Sequence, residues 1–584
     1  MSDTVEYRVG IGARRTHHFD LEARFPTGGR STIDLLLPVW TPGSYLIREY
    51  ERHVTELRCH AEDGRELPVR KVEKARWRVT TGGARTVVCS YRVYAHEVTV
   101  RTSHLDDTHA YWNGATLFLY VEHLRGAPAS ITVADLPAGW RITTALAADP
   151  ESPARLRAAD HDELVDSPVE IGDHPLLEFE AAGRPHTIAL WGRATFDRDR
   201  LVTDVRAIIE TQARLFGGLP YDRYTFLLHF VPGGYGGLEH RLCASVLTSP
   251  TNFADDKKYG DFLELVSHEF FHLWNGKRIR PAALGPFDYQ AECHTRSLWV
   301  VEGWTSYYDR LLLRRSGRID AARFRDKLGE DLTRLHRIPG RRHQSLEESS
   351  WDAWIKLYRP DENNVNSTVS YYLKGGVVAM LLDLEIRRRT TGARSLDDAL
   401  RALWQDFSRG GAGYADEALQ RVVEAATGLD LEDFFARAVR GRDDLEVEGP
   451  LASVGLALKR TSGIEASDRE GAWLGASTRG DGGRLRVTEA LDGSPAQLGG
   501  LSPGDELLAW DGFRLDDDGL RDRLRGGHAG DRVHLTVFRR DQLTDVEVVL
   551  ARRPSDRIEV VPLPDAPEAA RVAYAAWLDD DWKA

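Results

Sequence analysis

The pattern of apolar residues changes character twice along this chain, near Asp197 and again after Glu446–Pro450, and three textures cannot close around one core. At 584 residues the chain is also too long for a single hydrophobic centre, so three or four domains are expected. Up to about residue 180, β-type runs such as STIDLLLPVW, RTVVCSYRVYAHEVTVRT and ATLFLYVEHL alternate with turn clusters such as PTGG and TTGG. Period-two patterning with frequent Gly and Pro predicts an antiparallel β-sandwich. One segment there, WTPGSYLIREY (Trp40–Tyr50), is unusually aromatic for a strand connection.

From Asp197, helical spacing over Arg200–Phe216 leads into strand-like YTFLLHFV and the glycine-rich PGGYGGLEHRLCASVLTS, and later segments are mostly helical to about residue 445. A strand-containing lobe feeding a helical lobe predicts an α+β domain. Beyond EVEGP, the stretch WLGASTRGDGGRLRVTEALDGSPAQLGGLSPGDELLAWDGFRL alternates strands with glycine turns. The last thirty or so residues carry one helical stretch, Glu568–Leu578.

A net charge of −13 and the absence of any long basic run exclude nucleic acid and anionic membrane as partners. The N-terminus has no continuous apolar run of the secretory kind, and Gly375–Leu382, the longest apolar segment, is far short of a membrane span. Four scattered cysteines, Cys59, Cys89, Cys243 and Cys293, contain no C-x-x-C pair. They offer neither a disulfide framework nor a thiolate metal site, which points to the cytoplasm.

Residues 268–272 read H-E-F-F-H. On a helix, positions i and i+4 are about 40° apart, so His268 and His272 can present two imidazoles to one ion. Glu269 points to the adjacent side, within reach of an activated water. Zinc suits such a pair, because it accepts imidazole nitrogen, prefers four ligands and keeps one position open in catalytic sites. A third protein ligand is then required. Glu302, in SLWVVEGWTSYYDRLLL, is a carboxylate among Leu298, Val300, Val301 and Trp304, a placement that is costly without a cation. Asp309, seven residues on, returns to the same helix face and can accept the second N–H of a ligand histidine. Glu292 and His294 lie between and are weaker ligand candidates. Lys277, Arg278 and Arg280 follow the histidine helix, where cations favour the macrodipole.

The run H-E-F-F-H-L-W-N-x-K-R-I-R-P, followed by L-W-V-V-E-G-W-T-S-Y-Y-D, closely resembles the glycyl aminopeptidase family of zinc peptidases, within the gluzincin group. The resemblance implies one Zn2+ per chain held by His268, His272 and Glu302, with Glu269 as general base. Gly236-Gly237-Leu238-Glu239-His240 is similar to the G-x-M-E-N exopeptidase motif of gluzincin aminopeptidases, which gives Glu239 the role of anchoring a free N-terminal ammonium. Gly236 and Gly237 let a substrate backbone approach. Leu and His240 replace the motif's Met and Asn, so contacts of the Asn side chain do not carry over. Tyr372-Leu373-Lys374-Gly375 is similar to the Y-x-K-G segment, in which the tyrosine stabilises the oxyanion; helix phase alone leaves Tyr371 as the competitor of Tyr372.

WLGAS (473–477) and SPAQLGGLSPGDELLAWDG (494–512) are similar to the carboxylate-binding loop and the strand–turn–strand of PDZ domains. The expected architecture is therefore multidomain α+β: an N-terminal antiparallel β-sandwich (1–182), a thermolysin-like catalytic domain with a helical lobe (183–447), a PDZ-like domain (452–553) and a tail with a short helix (554–584). The resemblance implies removal of small N-terminal residues, Gly and Ala first, from peptides with a free N-terminus. The PDZ-like domain would hold a peptide C-terminus or make a self-contact. Rival readings are a zinc endopeptidase, and a peptide-binding scaffold with a vestigial metal site.

Overall fold

The computed structural model describes residues 4–407, 411–462 and 471–583, so residues 463–470 of the expected third module and both chain ends lie outside the described residues. The chain forms two compact units: Met1–His294 with Tyr308–Ile319 and Leu400–Asp416, and Thr295–Tyr307 with Asp320–Ala399 and Glu417–Ala584.

The first unit opens with an eight-stranded sheet that has Val5–Gly10, His18–Pro26 and Thr86–Tyr94 near its centre. Alternation sets its faces: Phe19, Leu21, Ala23 and Phe25 are buried, while the residues between them are partly or fully exposed. Val5–Gly10 pairs with Ala129–Ala134 in parallel, so the expectation of a wholly antiparallel sheet fails there. The long stretch between those strands supplies the crossover that a parallel pair needs. Smaller sheets of three and four strands complete this β-rich region.

The turn at Ala182–Gly183, where the first domain boundary was expected, is the tip of a hairpin pairing Leu176–Ala181 with Arg184–Trp191. The next sheet therefore begins at Leu176. In spatial order it runs Leu176–Ala181, Arg184–Trp191, Tyr224–Phe230, Cys243–Thr248 and Tyr235–Glu239, which leaves Tyr235–Glu239 at an edge. Its middle strands are parallel, and every residue of Tyr224–Phe230 is buried, as a strand covered on both faces requires. Helices Arg198–Phe216 and Asp256–Phe271 contact each other, and both contact this sheet. Asp197 and Asp255 cap them by accepting backbone N–H groups. Glu170, 1% exposed, pairs with His109 at 2.8 Å and with His229 at 3.0 Å, and so ties the preceding strands to the sheet.

In the second unit, helices Ala321–Arg337 and Leu373–Arg389 touch, and Leu373–Arg389 is buried on almost every side. That burial explains the apolar run Gly375–Leu382; no described helix is long and apolar enough to cross a membrane. Strand Arg557–Pro562 pairs with Leu456–Thr461 and lies on Ala321–Arg337, where a Cβ at Gly329 would fall 2.8 Å from the Ile558 carbonyl oxygen. The terminal helix Glu568–Leu578 docks through Trp577, whose Nε1 donates to the Tyr307 hydroxyl at 2.8 Å. Between these, residues 476–549 form a sheet with its own apolar core, with Ala476–Asp481 at one edge and helix Asp517–Gly526 in contact with that strand.

Candidate active site

His268 lies in the last turn of Asp256–Phe271 and His272 caps it. The Nδ1 of His268 is 2.8 Å from Asp309 Oδ2, and the Nδ1 of His272 is 2.8 Å from the Asn275 carbonyl oxygen. Both partners accept, so each Nδ1 carries the proton and Nε2 is the ring nitrogen with a lone pair to offer a cation. The ring centroids are 4.7 Å apart with planes at 82°, a geometry in which two nitrogens converge without stacking. Asp309 is 4% exposed: burial pushes its carboxyl up, and the bond to His268 pulls it back towards the charged form. Its backbone carbonyl accepts from Ser267 Oγ at 2.8 Å, and Ser267 Oγ in turn accepts from Gln212 at 3.0 Å, which fixes the histidine helix in register.

Glu269 is 5% exposed and lies against the edge strand Tyr235–Glu239. A Cβ at Gly237 would fall 2.1 Å from Glu269 Oε1, so the close approach that demands this glycine is that of the Glu269 side chain. Gly237 is expected from sequence to admit a substrate backbone; in the structure the nearest claim on its space is Glu269. Gly236 is needed for its φ of +147°, which L residues rarely adopt. Glu239, also 5% exposed, closes the strand. Gly43, in the aromatic segment Trp40–Tyr50, presses on it: a Cβ there would lie 2.6 Å from both carboxylate oxygens.

Behind Glu239 lies a network that the sequence did not reveal. Asp166 Oδ1 is 2.9 Å from Lys277 Nζ and 3.2 Å from His240 Nδ1, and its Oδ2 accepts from the Arg241 backbone N–H at 2.7 Å. Lys277 is therefore a buried ion-pair partner rather than a helix-end cation, whereas Arg278 donates to the Leu273 carbonyl, just past the helix end, at 2.8 Å. Burial works against the charge on Asp166, but Lys277 and His240 hold its carboxyl well below the usual range. Burial likewise opposes the Lys277 charge, and Asp166 and Glu239 raise it. Both shifts favour the charged forms, so the pair stabilises fully between about pH 4 and about pH 10 and weakens outside that window. Asp166→Ala is expected to cost about 3–5 kcal/mol, since it strands a buried ammonium, and the check is a lower urea midpoint with unchanged slope.

The second unit holds Glu302 and the two tyrosines. Glu302 is 2% exposed within Trp299–Trp304, a π-helical turn whose other five residues are all buried and none of them charged. Gly303 lets this turn cross Leu373–Arg389 backbone to backbone: a Cβ on it would fall 2.6 Å from the Gly375 Cα. The element bearing Glu302 is thereby fixed against the one that Tyr372 begins. Tyr371 is fully buried and Tyr372 half-buried, its ring stacked on Tyr371 at 4.7 Å and its hydroxyl 3.1 Å from that of Tyr358. Glu292 is exposed and His294 half-buried.

Residues 261–378 match the M61 glycyl aminopeptidase family, and residues 6–173 match the peptidase M61 N-terminal domain. A crystal structure of an aminopeptidase N family protein from Idiomarina loihiensis is 31% identical, covers 98% of this chain and 100% of its own, and superposes with a TM-score of 0.91. Leucine aminopeptidase 2 of Candida glabrata is 26% identical over 110 residues, which are 19% of this chain and 14% of that protein. The protein of the same name from Saccharomyces cerevisiae is 24% identical over 110 residues, so the chain spans only 14% of either curated relative. Whole-length agreement with the Idiomarina protein, joined to the two matched regions, makes the chain a member of the M61 glycyl aminopeptidase family of metallopeptidases.

Proposed function

We propose that the chain is a zinc-dependent aminopeptidase that removes small N-terminal residues, glycine and alanine first, from short peptides. The observation that carries this reading is Glu239, a buried carboxylate at the end of an edge strand whose Gly237 lies against Glu269. Lys277 is engaged by Asp166, and a buried carboxylate at this strand end suits the ammonium of an incoming peptide. The donor set fits zinc: His268 and His272 have their tautomers fixed, and Glu302, a carboxylate buried in an otherwise apolar turn, serves as third ligand. When bound, the ion supplies Lewis acidity and a water acidic enough to act as nucleophile near neutral pH.

Glu269 takes the proton of the attacking water and returns it to the leaving nitrogen. Tyr372 donates its O–H to the oxyanion. Glu239 fixes the amine so that only the first peptide bond is presented. The closeness of Gly43 to Glu239 supports a preference for small first residues, because the Trp40–Tyr50 segment roofs the anchoring carboxylate. In the C-terminal module, the edge strand Ala476–Asp481 beside helix Asp517–Gly526 supports a PDZ-like groove for a peptide C-terminus or a second copy.

Glycine and alanine anilides should be cleaved, their N-acetyl forms resisted, and a chelator should stop both reactions; cleavage of the acetylated forms would instead mark an endopeptidase. Glu239→Ala is expected to cut kcat/KM on free-amine substrates by about 10- to 100-fold, the loss of a charge-assisted bond. Gly237→Ala, which drives a methyl into the Glu269 carboxylate, is expected to lower kcat by about 100-fold with metal content retained, read by turnover beside metal analysis.

A further inference from the structure

We infer that Arg101 forms a subsite for the C-terminal carboxylate of dipeptide substrates, an assignment that rests on the aminopeptidase reading above. Arg101 lies in the connection between strands Thr86–Tyr94 and His104–Leu105, and its Nη2 donates to the Gly237 carbonyl oxygen at 3.2 Å. Nη1 is 3.8 Å from where a Gly236 Cβ would stand. The loop is held firmly: the Tyr50 hydroxyl donates to the Arg101 carbonyl at 2.7 Å, and the Arg101 N–H donates to Thr99 Oγ1 at 3.1 Å. Among the described residues the guanidinium makes no ion pair, and its buried Nε has no hydrogen-bond partner. A partly buried guanidinium whose one side-chain bond goes to a carbonyl is equipped for a carboxylate that the protein itself does not provide.

Its position along the strand says which carboxylate. His240 N–H bonds to Cys243 across the ladder, so by the two-residue alternation Gly237 and Glu239 direct their backbone groups away from the sheet, towards the free edge. A peptide whose ammonium sits at Glu239 must run back towards Gly237, because Glu269 lies there and not beyond His240. It therefore adds antiparallel, advancing about 3.4 Å per residue. Two residues back from Glu239 is Gly237, where Arg101 occupies the carbonyl that a longer strand would use. A dipeptide thus ends at the guanidinium, while a longer chain must displace it.

The test compares Ala-Ala, Ala-Ala amide and alanine anilide in the wild type, Arg101→Ala and Arg101→Gln. The wild type is expected to favour Ala-Ala over its amide by about 10- to 100-fold, chiefly through KM, the worth of one charge-assisted pair. Both variants should bring that ratio close to one, with the glutamine variant keeping a neutral bond to Gly237 and so guarding against a collapsed loop. A wild type that cleaves acid and amide alike, or variants that preserve the ratio while lowering both rates, would overturn the subsite. Anilide turnover by the wild type in either of those cases leaves the aminopeptidase reading standing; no turnover of any of the three substrates removes that reading and the subsite together.

Discussion

Replacing Glu269 with glutamine is expected to slow peptide hydrolysis by about a thousandfold while leaving metal content and KM near their original values. The side chain is 5% exposed, wedged beside Gly237, so an isosteric amide fills the same space. What the amide cannot do is accept the proton of the attacking water. A loss confined to kcat therefore reports a group that works in the transition state, and metal analysis of the same preparation separates it from a disturbed ligand set. The neighbouring histidines should be untouched, since their Nδ1 atoms are held by Asp309 and the Asn275 carbonyl rather than by Glu269. Unimpaired turnover would move the base to another residue. Comparison with Gly237→Ala adds a geometric control: there the carboxylate is retained but displaced, and a smaller loss than in Glu269→Gln is the ordering that a positioned base requires.

The histidine helix was legible because its information is local: a four-residue spacing and the apolar residues around it lie within one element. Asp309 meets His268 at 2.8 Å, yet the spacing argument that singled it out assumed a regular α-helix from Glu302 onwards. Trp299–Trp304 is π-helical, so helix phase alone does not carry across it, and π-turns of this kind recur at functional sites. Features that depend on distant partners were hidden. Lys277 reads as a dipole cation until Asp166, 111 residues away in sequence, closes on it. Cys59 and Cys89 look scattered, but cross-strand pairing brings their free thiols to 3.2 Å. The strand Arg557–Pro562 gave no signal of its own because it depends on Leu456–Thr461 and on a glycine in another helix. Gly237 reads in sequence as room for a substrate backbone; that the Glu269 side chain lies against it shows only in three dimensions.

Tyr372→Phe is expected to lower kcat by about 100- to 1000-fold, the usual worth of an oxyanion donor, whereas Tyr371→Phe should change it by only a few-fold. Sequence could not choose between the two, since both stand at the start of one helix. Burial separates them. Tyr371 is fully buried, its backbone carbonyl close to Gly303 at the helix crossing, which is the environment of a packing residue. Tyr372 is half-buried and caps the helix that starts at Leu373, with its hydroxyl directed to that of Tyr358. A phenol shared with another phenol can turn its proton towards a developing oxyanion without breaking a buried bond to the core. Removing that one oxygen keeps the ring stack on Tyr371, so folding and metal content should hold while the chemical step slows. Free-amine anilides measured at saturating substrate give the answer, because a transition-state donor lowers kcat and leaves KM nearly constant. The reverse ordering, with Tyr371→Phe the more damaged, would assign the oxyanion to Tyr371 and would require its ring to leave the core during turnover.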